Sequence, residues 1–478
     1  MFKEYNQNQT FLLPPNFKDF LWEWHEAIIL SELIDELNLE NLYKEYKIDG
    51  NWRPAYNPRM LLKVLFYWYM NQTFSSRKLA KKMKTDLWFM YVAWNNQPDF
   101  RTINRFRKER WKILEDIFIQ IVLKAKDLWM IKFWTVSLDG TKIYANASKT
   151  KSYKIEDLDK KIKKLFEEAN KIDEVEDKKF WKERENDIPE ELKTKKWRDK
   201  KRKEIRKKTE KLESIKYKIK KEIEEKKDTW IKQDRINMTD KDSRLMMMKR
   251  KDRWSWYNPQ NLTENQFILT TMTPNSAEDT WELKPILEKF KKRMKDSIEN
   301  LLADKGYASE ENYEYLEKEN IDWYIPHQEN KVDLKDYIYD KKRDKYEDKE
   351  WNIYKFKQNV WKKKKETKGR PKWGKKLKKD EIKSKIYVTI LESWIKKFLC
   401  ISKNWQELCK RNDDRLYSEK WKEIYKKRSW CVENVFWNIK KNLWFEGFLL
   451  RWFEWVQIEW NLICLAHNLK KIMKFQAL

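Results

Sequence analysis

Three carboxylates stand where short elements could present them to a substrate. Asp139 closes the β-forming run in "FWTVSLDGTKIYANAS", Asp304 closes "ENLLADKGYAS", and Glu433 lies in "YKKRSWCVENVFWNIKKNL". A strand-end aspartate is more often a turn or cap residue than a catalyst. In open α/β sheets, however, ligand sites gather at the carboxyl ends of strands. Glu433 belongs to a helical pattern that places Val432, Phe436, Ile439 and Leu443 on one face. Glu433 and Lys440 are seven residues apart, nearly two turns, and share a stripe beside that apolar face. The competing reading is a surface helix laced by weak ion pairs. Were the three carboxylates to meet in one pocket, they would repel one another and call for cations. Their hard oxygens suit Mg2+ or Mn2+. Two such ions about 4 Å apart can activate a water or 3′-hydroxyl and stabilise the leaving oxygen of a phosphodiester. A protein nucleophile is not required.

The elements that must position these residues follow from hydrophobic period. Residues 1 to about 130 read as helical, with apolar spacing in "PRMLLKVLFYWYMNQ" and "RKERWKILEDIFIQIVLKAKDL". The period shortens at "FWTVSLDG", where Val136 and Leu138 sit among β-formers and Asp139-Gly140 marks a strand end or turn. Residues 150 to about 235 are dense in Lys and Glu. They fit exposed helices, a helical hairpin or partial disorder. "NQFILTTMT", "ENLLADKGYAS" and "IDWYIP" are strand candidates; "DTWELKPILEKFKKRM" and "SEENYEYLEKEN" are helices. Residues 330–400 are a basic insertion with weak strand signals, and from Tyr417 the chain is helical again. Strands alternating with helices indicate an α/β core.

Composition narrows the class. The 478 residues allow two or three domains, and the net charge of +29 favours a polyanionic partner such as nucleic acid. The plainer reading is a lysine-rich surface with solvated faces. No apolar run approaches the roughly 20 residues of a membrane span, and "MFKEYNQNQTFLLPPNFKDF" has no signal-peptide apolar region. Cys400, Cys409, Cys431 and Cys464 lack the spacing of a zinc ribbon or a disulfide framework and suit a reducing cytoplasm. His25, His327 and His467 are too scattered for a histidine-based site.

Taken in order, these segments resemble a bacterial insertion-sequence DDE transposase of the IS-four/IS-five superfamily, in the group with a helical N-terminal domain. "NPRMLLKVLFYWYMNQTFSSRKL" and "NNQPDFRTINRFR" are similar to that N-terminal domain. "DGTKIYANAS" looks like the segment around the first catalytic aspartate, and "YNPQ" and "ADKGYAS" match the next two segments. Tyr425, Arg428, Glu433 and Lys440, with two, four and six residues between them, are similar to the family's Tyr-Arg-Glu-Lys signature. "EWNLICLAHNLKK" is like its closing helix. The resemblance covers nearly all the chain outside the two inserts.

The resemblance implies an α/β fold with an RNase H-like core. A helical N-terminal domain (1–130, for DNA binding or dimerisation) would precede a catalytic domain (131–478). The catalytic domain would carry a charged helical insert at about 150–235, a basic and partly β insertion at about 330–412, and C-terminal helices at 417–475. It implies Asp139, Asp304 and Glu433 as catalytic metal ligands, with two Mg2+ or Mn2+ ions per site. Tyr425, Arg428 and Lys440 would bind DNA phosphate. The partners would be double-stranded DNA, both terminal inverted repeats and target, and a second copy of the chain on DNA. The place would be the bacterial cytoplasm, at the nucleoid when on DNA, with no membrane. Two other readings remain: a related metal-dependent nuclease that cuts without joining, and an inactive basic DNA-binding relative.

The tryptophans are a separate puzzle. The chain has 28 Trp and 6 Gly, whereas ordinary usage of about 7% predicts roughly 33 glycines. The two counts together nearly equal that number. Either the protein is truly Trp-rich, or many of these positions are UGA codons read as glycine in the host. Trp68, Trp129, Trp254, Trp256, Trp281, Trp437 and Trp452 stand where the family tends to have Gly or a turn glycine is expected, whereas Trp460 matches a family tryptophan.

Overall fold

The computed structural model describes residues 24–46, 55–149, 152–153, 155–180, 195–225, 236–237, 239–247, 253–274, 276, 278–327, 337–361, 382–390 and 396–476. Its first part is helical: α1 (Glu26–Asp35), α2 (Glu40–Lys44), α3 (Pro58–Met70), α4 (Ser76–Thr85), α5 (Leu87–Val92), α6 (Phe100–Glu109) and α7 (Trp111–Asp127). Helix α3 starts at an Asn57 cap that accepts from the Arg59 and Met60 amides, with Pro58 in the first turn where its missing N–H costs nothing. Leu62, Val64, Leu65, Phe66 and Trp68 of α3 are fully buried.

A mixed sheet follows. Its strands are β1 (Thr135–Gly140), β7 (Gln260–Glu264), β8 (Phe267–Met272), β9 (Asn300–Ala303) and β10 (Asp322–Tyr324), in the order β10-β9-β1-β7-β8. The intervening strands β2 (Ile143–Tyr144), β5 (Arg244–Met247) and β6 (Arg253–Tyr257) form a small sheet, and β3 (Ser152–Tyr153) pairs with β4 (Ile236–Asn237). Strands β9 and β10 run parallel to β1, while β7 and β8 run antiparallel as a hairpin. The central strands are buried on both faces: Val136, Leu138, Leu301 and Ala303 are fully buried on one face, and Ser137 and Leu302 are buried on the other. Leu138 pairs with Ala303. Asp139 and Asp304 are therefore the next residues on two neighbouring parallel strands.

Between β3 and β4 in sequence lie α8 (Ile155–Phe180) and α9 (Lys195–Glu225), which pack through Leu158, Leu212, Ile215 and Ile219. Helices α10 (Leu283–Met294) and α11 (Glu310–Lys318) flank β9 in sequence. A second sheet, wholly antiparallel, comprises β11 (Tyr337–Asp340), β12 (Lys345–Asp348), β13 (Ile353–Trp361), β14 (Ile382–Ile390) and β15 (Lys396–Ile401) around Tyr346, Tyr354, Tyr387 and Leu399. Helix α12 (Lys403–Leu416) returns to the main sheet, where the Asn412 amide group pairs with both the N–H and C=O of Ile325. Helix α13 (Glu419–Trp437) and α14 (Phe453–Gln476) complete the chain. The buried α14 packs on α3, α7 and β8, and Asn468 holds the Ile268 backbone on both sides. Among the described residues, no helix is long and apolar enough to cross a membrane.

The backbone bears on the tryptophans. Among the described residues, thirteen non-glycine residues have positive φ, and five of them are Trp94, Trp129, Trp351, Trp444 and Trp452. All five side chains are exposed. Trp94 and Trp129 follow the caps of α5 and α7. At each, the next amide reaches back five residues, Asn95 to Met90 and Met130 to Ala125. That is the helix stop that ordinarily takes glycine.

Candidate active site

The site begins where β1 and β9 end side by side. The Asp139 carboxylate accepts from the Gly140 amide at 2.8 Å and meets Arg428 Nη1 at 3.3 Å. Burial pushes its pKa up to about 6; Arg428 works against that rise and the Asp304 charge adds to it. Asp304 Oδ1 accepts from the Gly306 amide at 2.8 Å and so caps the short 3-10 turn Lys305–Tyr307. The cap role and a role in chemistry coexist, because a capping carboxylate keeps further lone pairs.

Helix α13 brings the other groups. Val432, Val435 and Phe436, with Ile439 beyond, bury its inner face. That docking brings Tyr425 Oη to the Ala303 carbonyl at 3.2 Å, one residue before Asp304. The Arg428 guanidinium lies between Asp139 and Glu433, with Nη2 to Glu433 Oε1 at 3.8 Å. Burial opposes the Arg428 charge, but Asp139, Tyr425 and Asp304 together more than restore it and hold its pKa above the usual value. Burial also raises the Tyr425 pKa, with Arg428 opposing. Past Trp437 the helix widens into a π turn, Asn438–Asn442, which carries Lys440. The wider turn departs from the straight α spacing expected between Glu433 and Lys440; such turns recur at functional positions. Burial lowers the Lys440 pKa, while Glu446 and Asp139 support its charge. Trp437 is mostly exposed, with helical dihedrals, so its backbone does not demand glycine.

The structure thus gathers Asp139, Asp304, Tyr425, Arg428 and Lys440 around the strand ends, with the half-exposed Glu433 on the far side of Arg428. Among the described residues, no three acidic, histidine or cysteine side chains are placed to enclose an ion. The donor chemistry fits a hard divalent cation at the Asp139–Asp304 pair, whose charges otherwise oppose each other across buried ground. Arg428 supplies the positive charge between Asp139 and Glu433.

One carboxylate at the site gives no signal in the sequence. Asp279 Oδ1 accepts from Asn258 Nδ2 and Gln260 Nε2, each at 2.7 Å. Asn258 and Gln260 belong to "YNPQ", whereas Asp279 in "AEDTWEL" reads as the start of an amphipathic helix. Only the tertiary pairing reveals the connection.

Comparison with protein families gives two matches. Residues 15–109 match the family described as Transposase domain (DUF772), and residues 232–469 match Transposase DDE domain. Together they span more than two thirds of the chain. No curated protein matches the sequence at a significant level.

Proposed function

We propose that this chain, whose residues 15–109 and 232–469 match transposase families, is a metal-dependent DDE transposase that cuts DNA at the ends of its own insertion sequence and joins the freed 3′ ends to target DNA. The observation that carries this reading is the register of β1 and β9, which sets Asp139 and Asp304 side by side beneath α13. An RNase H-like core agrees with the order β10-β9-β1-β7-β8, in which a three-strand antiparallel meander is extended by two parallel strands. The IS-four/IS-five assignment rests on the spacing of Tyr425, Arg428, Glu433 and Lys440.

Asp139 and Asp304 would hold a divalent cation, Mg2+ or Mn2+, with Glu433 completing the set for two ions. Bound there, the cations would activate the attacking oxygen and stabilise the leaving one. The chain's own residues do the rest. Arg428 can present two parallel N–H groups to a phosphate in place of the carboxylates it now faces. Such an exchange would free Asp139 and Glu433 for metal when DNA arrives. Lys440, with its charge poorly solvated, gains most from a phosphate partner. Tyr425 ties α13 to the Asp304 turn and so couples the phosphate-binding helix to the metal-binding strand. These contacts position DNA without reading its sequence.

The helical N-terminal domain (1–130) and the basic inserts would bind the terminal inverted repeats, given the net charge of +29. Two DNA ends require two active sites, hence a dimer on DNA. Most of the exposed positive-φ tryptophans are glycine in the protein its host makes, UGA being read as Gly, because their backbone takes a conformation suited to glycine.

The test is an end-cleavage and strand-transfer assay on matched terminal DNA with Mg2+ or Mn2+. The expected result is 3′-end joining by the parent and loss of both steps in Asp139→Asn and Asp304→Asn, with DNA binding retained. Efficient cutting with no joined product would favour a nuclease. Undiminished cleavage by Asp304→Asn would overturn the site assignment.

A further inference from the structure

We propose that Asp279 is a positioning residue that braces the Asp139 and Asp304 turns at a fixed separation. The inference rests on the transposase reading above. Asp279 lies on the connection between β8 and α10. Its Oδ1 accepts from the amide groups of Asn258 and Gln260. Gln260 is the cross-strand partner of Gly140, and Asn258 precedes Pro259, whose carbonyl accepts from the Thr141 amide at 2.9 Å. Asp279 is thereby fixed to the strand that flanks Asp139. The hydroxyl of Tyr307, in the turn after Asp304, donates to Gln260 Oε1. One glutamine side chain therefore joins Asp279 on one side and the Asp304 turn on the other.

Two glycines make room for this brace. A Cβ on Gly140 would run into the Gln260 amide and stand 2.8 Å from Asp279 Oδ1. A Cβ on Gly306 would stand 2.9 Å from Asp304 Oδ1 and 3.5 Å from Asp279 Oδ2. The Asp279 carboxylate thus fills the space that both glycines leave open, one residue after Asp139 and two after Asp304. The next residue adds a backbone tie: Thr280 Oγ1 donates to the Gly306 carbonyl at 2.7 Å. Asn312 Nδ2 donates to the carbonyls of Thr280 and Tyr307, each at 2.8 Å, and closes the network. Because Oδ1 already accepts two amide N–H groups, the residue acts through its neighbours.

The experiment compares end cleavage by the full chain, with Mn2+ and matched terminal DNA, among Asp279→Ala, Asp279→Asn and Asp304→Asn. Asp279→Ala is expected to lower kcat by roughly 10–100-fold, as misplacement of about an ångström does, with KM for DNA within about twofold. Asp279→Asn keeps an oxygen for both amides and should recover to within about fivefold of the parent. Should Asp279→Ala fail to fold, Gln260→Glu serves instead: it sets two carboxylates face to face, and adding Asp279→Asn should restore the lost activity. A parent-like kcat in Asp279→Ala overturns the proposal, as does a double variant no better than Gln260→Glu. Asp279→Asn as inactive as Asp304→Asn also overturns it, since the charge itself would then be needed. Retained cleavage by Asp304→Asn would instead defeat the transposase site and leaves a distinct signature.

Discussion

Glu282 shows how burial stores a pH response close to the strand-end carboxylates. It is buried, and its pKa rises from 4.5 to about 7, chiefly by loss of water and further by the Asp279 charge. A carboxyl raised in the fold favours the folded state fully below its unfolded pKa. That contribution is lost as pH climbs from about 4.5 through about 7. A tenfold change in proton affinity between the folded and unfolded chain is worth about 1.4 kcal/mol. Glu282→Gln, which has no charge to bury, should therefore unfold at higher temperature than the parent at pH 8, by about 1–3 kcal/mol in stability. At pH 4 the two should melt together. Parallel melting curves across the whole range would show that the Glu282 charge carries no such cost. Sequence alone shows Glu282 as one acid in the amphipathic "DTWELKPILEKF". Its burial depends on what the loop before α10 packs against, and local pattern does not encode that.

Helix α13 is legible at the level of elements because its apolar period is regular. Val432, Phe436, Ile439 and Leu443, expected on one face, are all buried, joined by Val435. The π turn that follows is not legible, since an extra residue per turn depends on packing against the rest of the molecule. The helix matters as a lever: its inner face docks on the sheet, and its flank carries Tyr425, Arg428 and Glu433. Ile439→Ala should cost about 2–5 kcal/mol, the range for large-to-small changes in a packed core. The urea midpoint should fall with little change in the slope of unfolding free energy on denaturant. Cleavage should fall as well, because Lys440 is next to the cavity. Full cleavage at a much lowered midpoint would show that the flank carrying Tyr425, Arg428 and Glu433 does not depend on this packing.

At the scale of the whole molecule, helices and single strands can be read from period, but sheet order cannot. Pairing β1 with β9 joins segments separated by both α8–α9 and the β7–β8 hairpin, and register is set by such distant partners. The antiparallel sheet β11–β15 gives only weak strand signals because its core is a few tyrosines within basic sequence. Strand ends are legible, and the family resemblance singles out Asp139 and Asp304 there, while Asp279 is hidden in a loop. The backbone also bears on the tryptophan puzzle at this scale. Trp460 is fully buried and donates to Asn261 Oδ1 at 3.0 Å, as a true core indole does. Buried Trp68, Trp256 and Trp323 leave the indole N–H without a partner. Trp94 and Trp129 place exposed indoles at helix stops suited to glycine. For an L-residue, that left-handed conformation costs roughly 1–2 kcal/mol. In protein made with the standard code, Trp94→Gly and Trp129→Gly should therefore each raise stability by about 1 kcal/mol, whereas Trp460→Gly should destabilise by about 3–5 kcal/mol, as loss of a large core side chain does. In protein from the native host, peptide mass spectrometry should find glycine at most of positions 94, 129, 351, 444 and 452, with tryptophan at 460. Indole-bearing peptides at 94 and 129 would establish a truly tryptophan-rich chain that bears this strain.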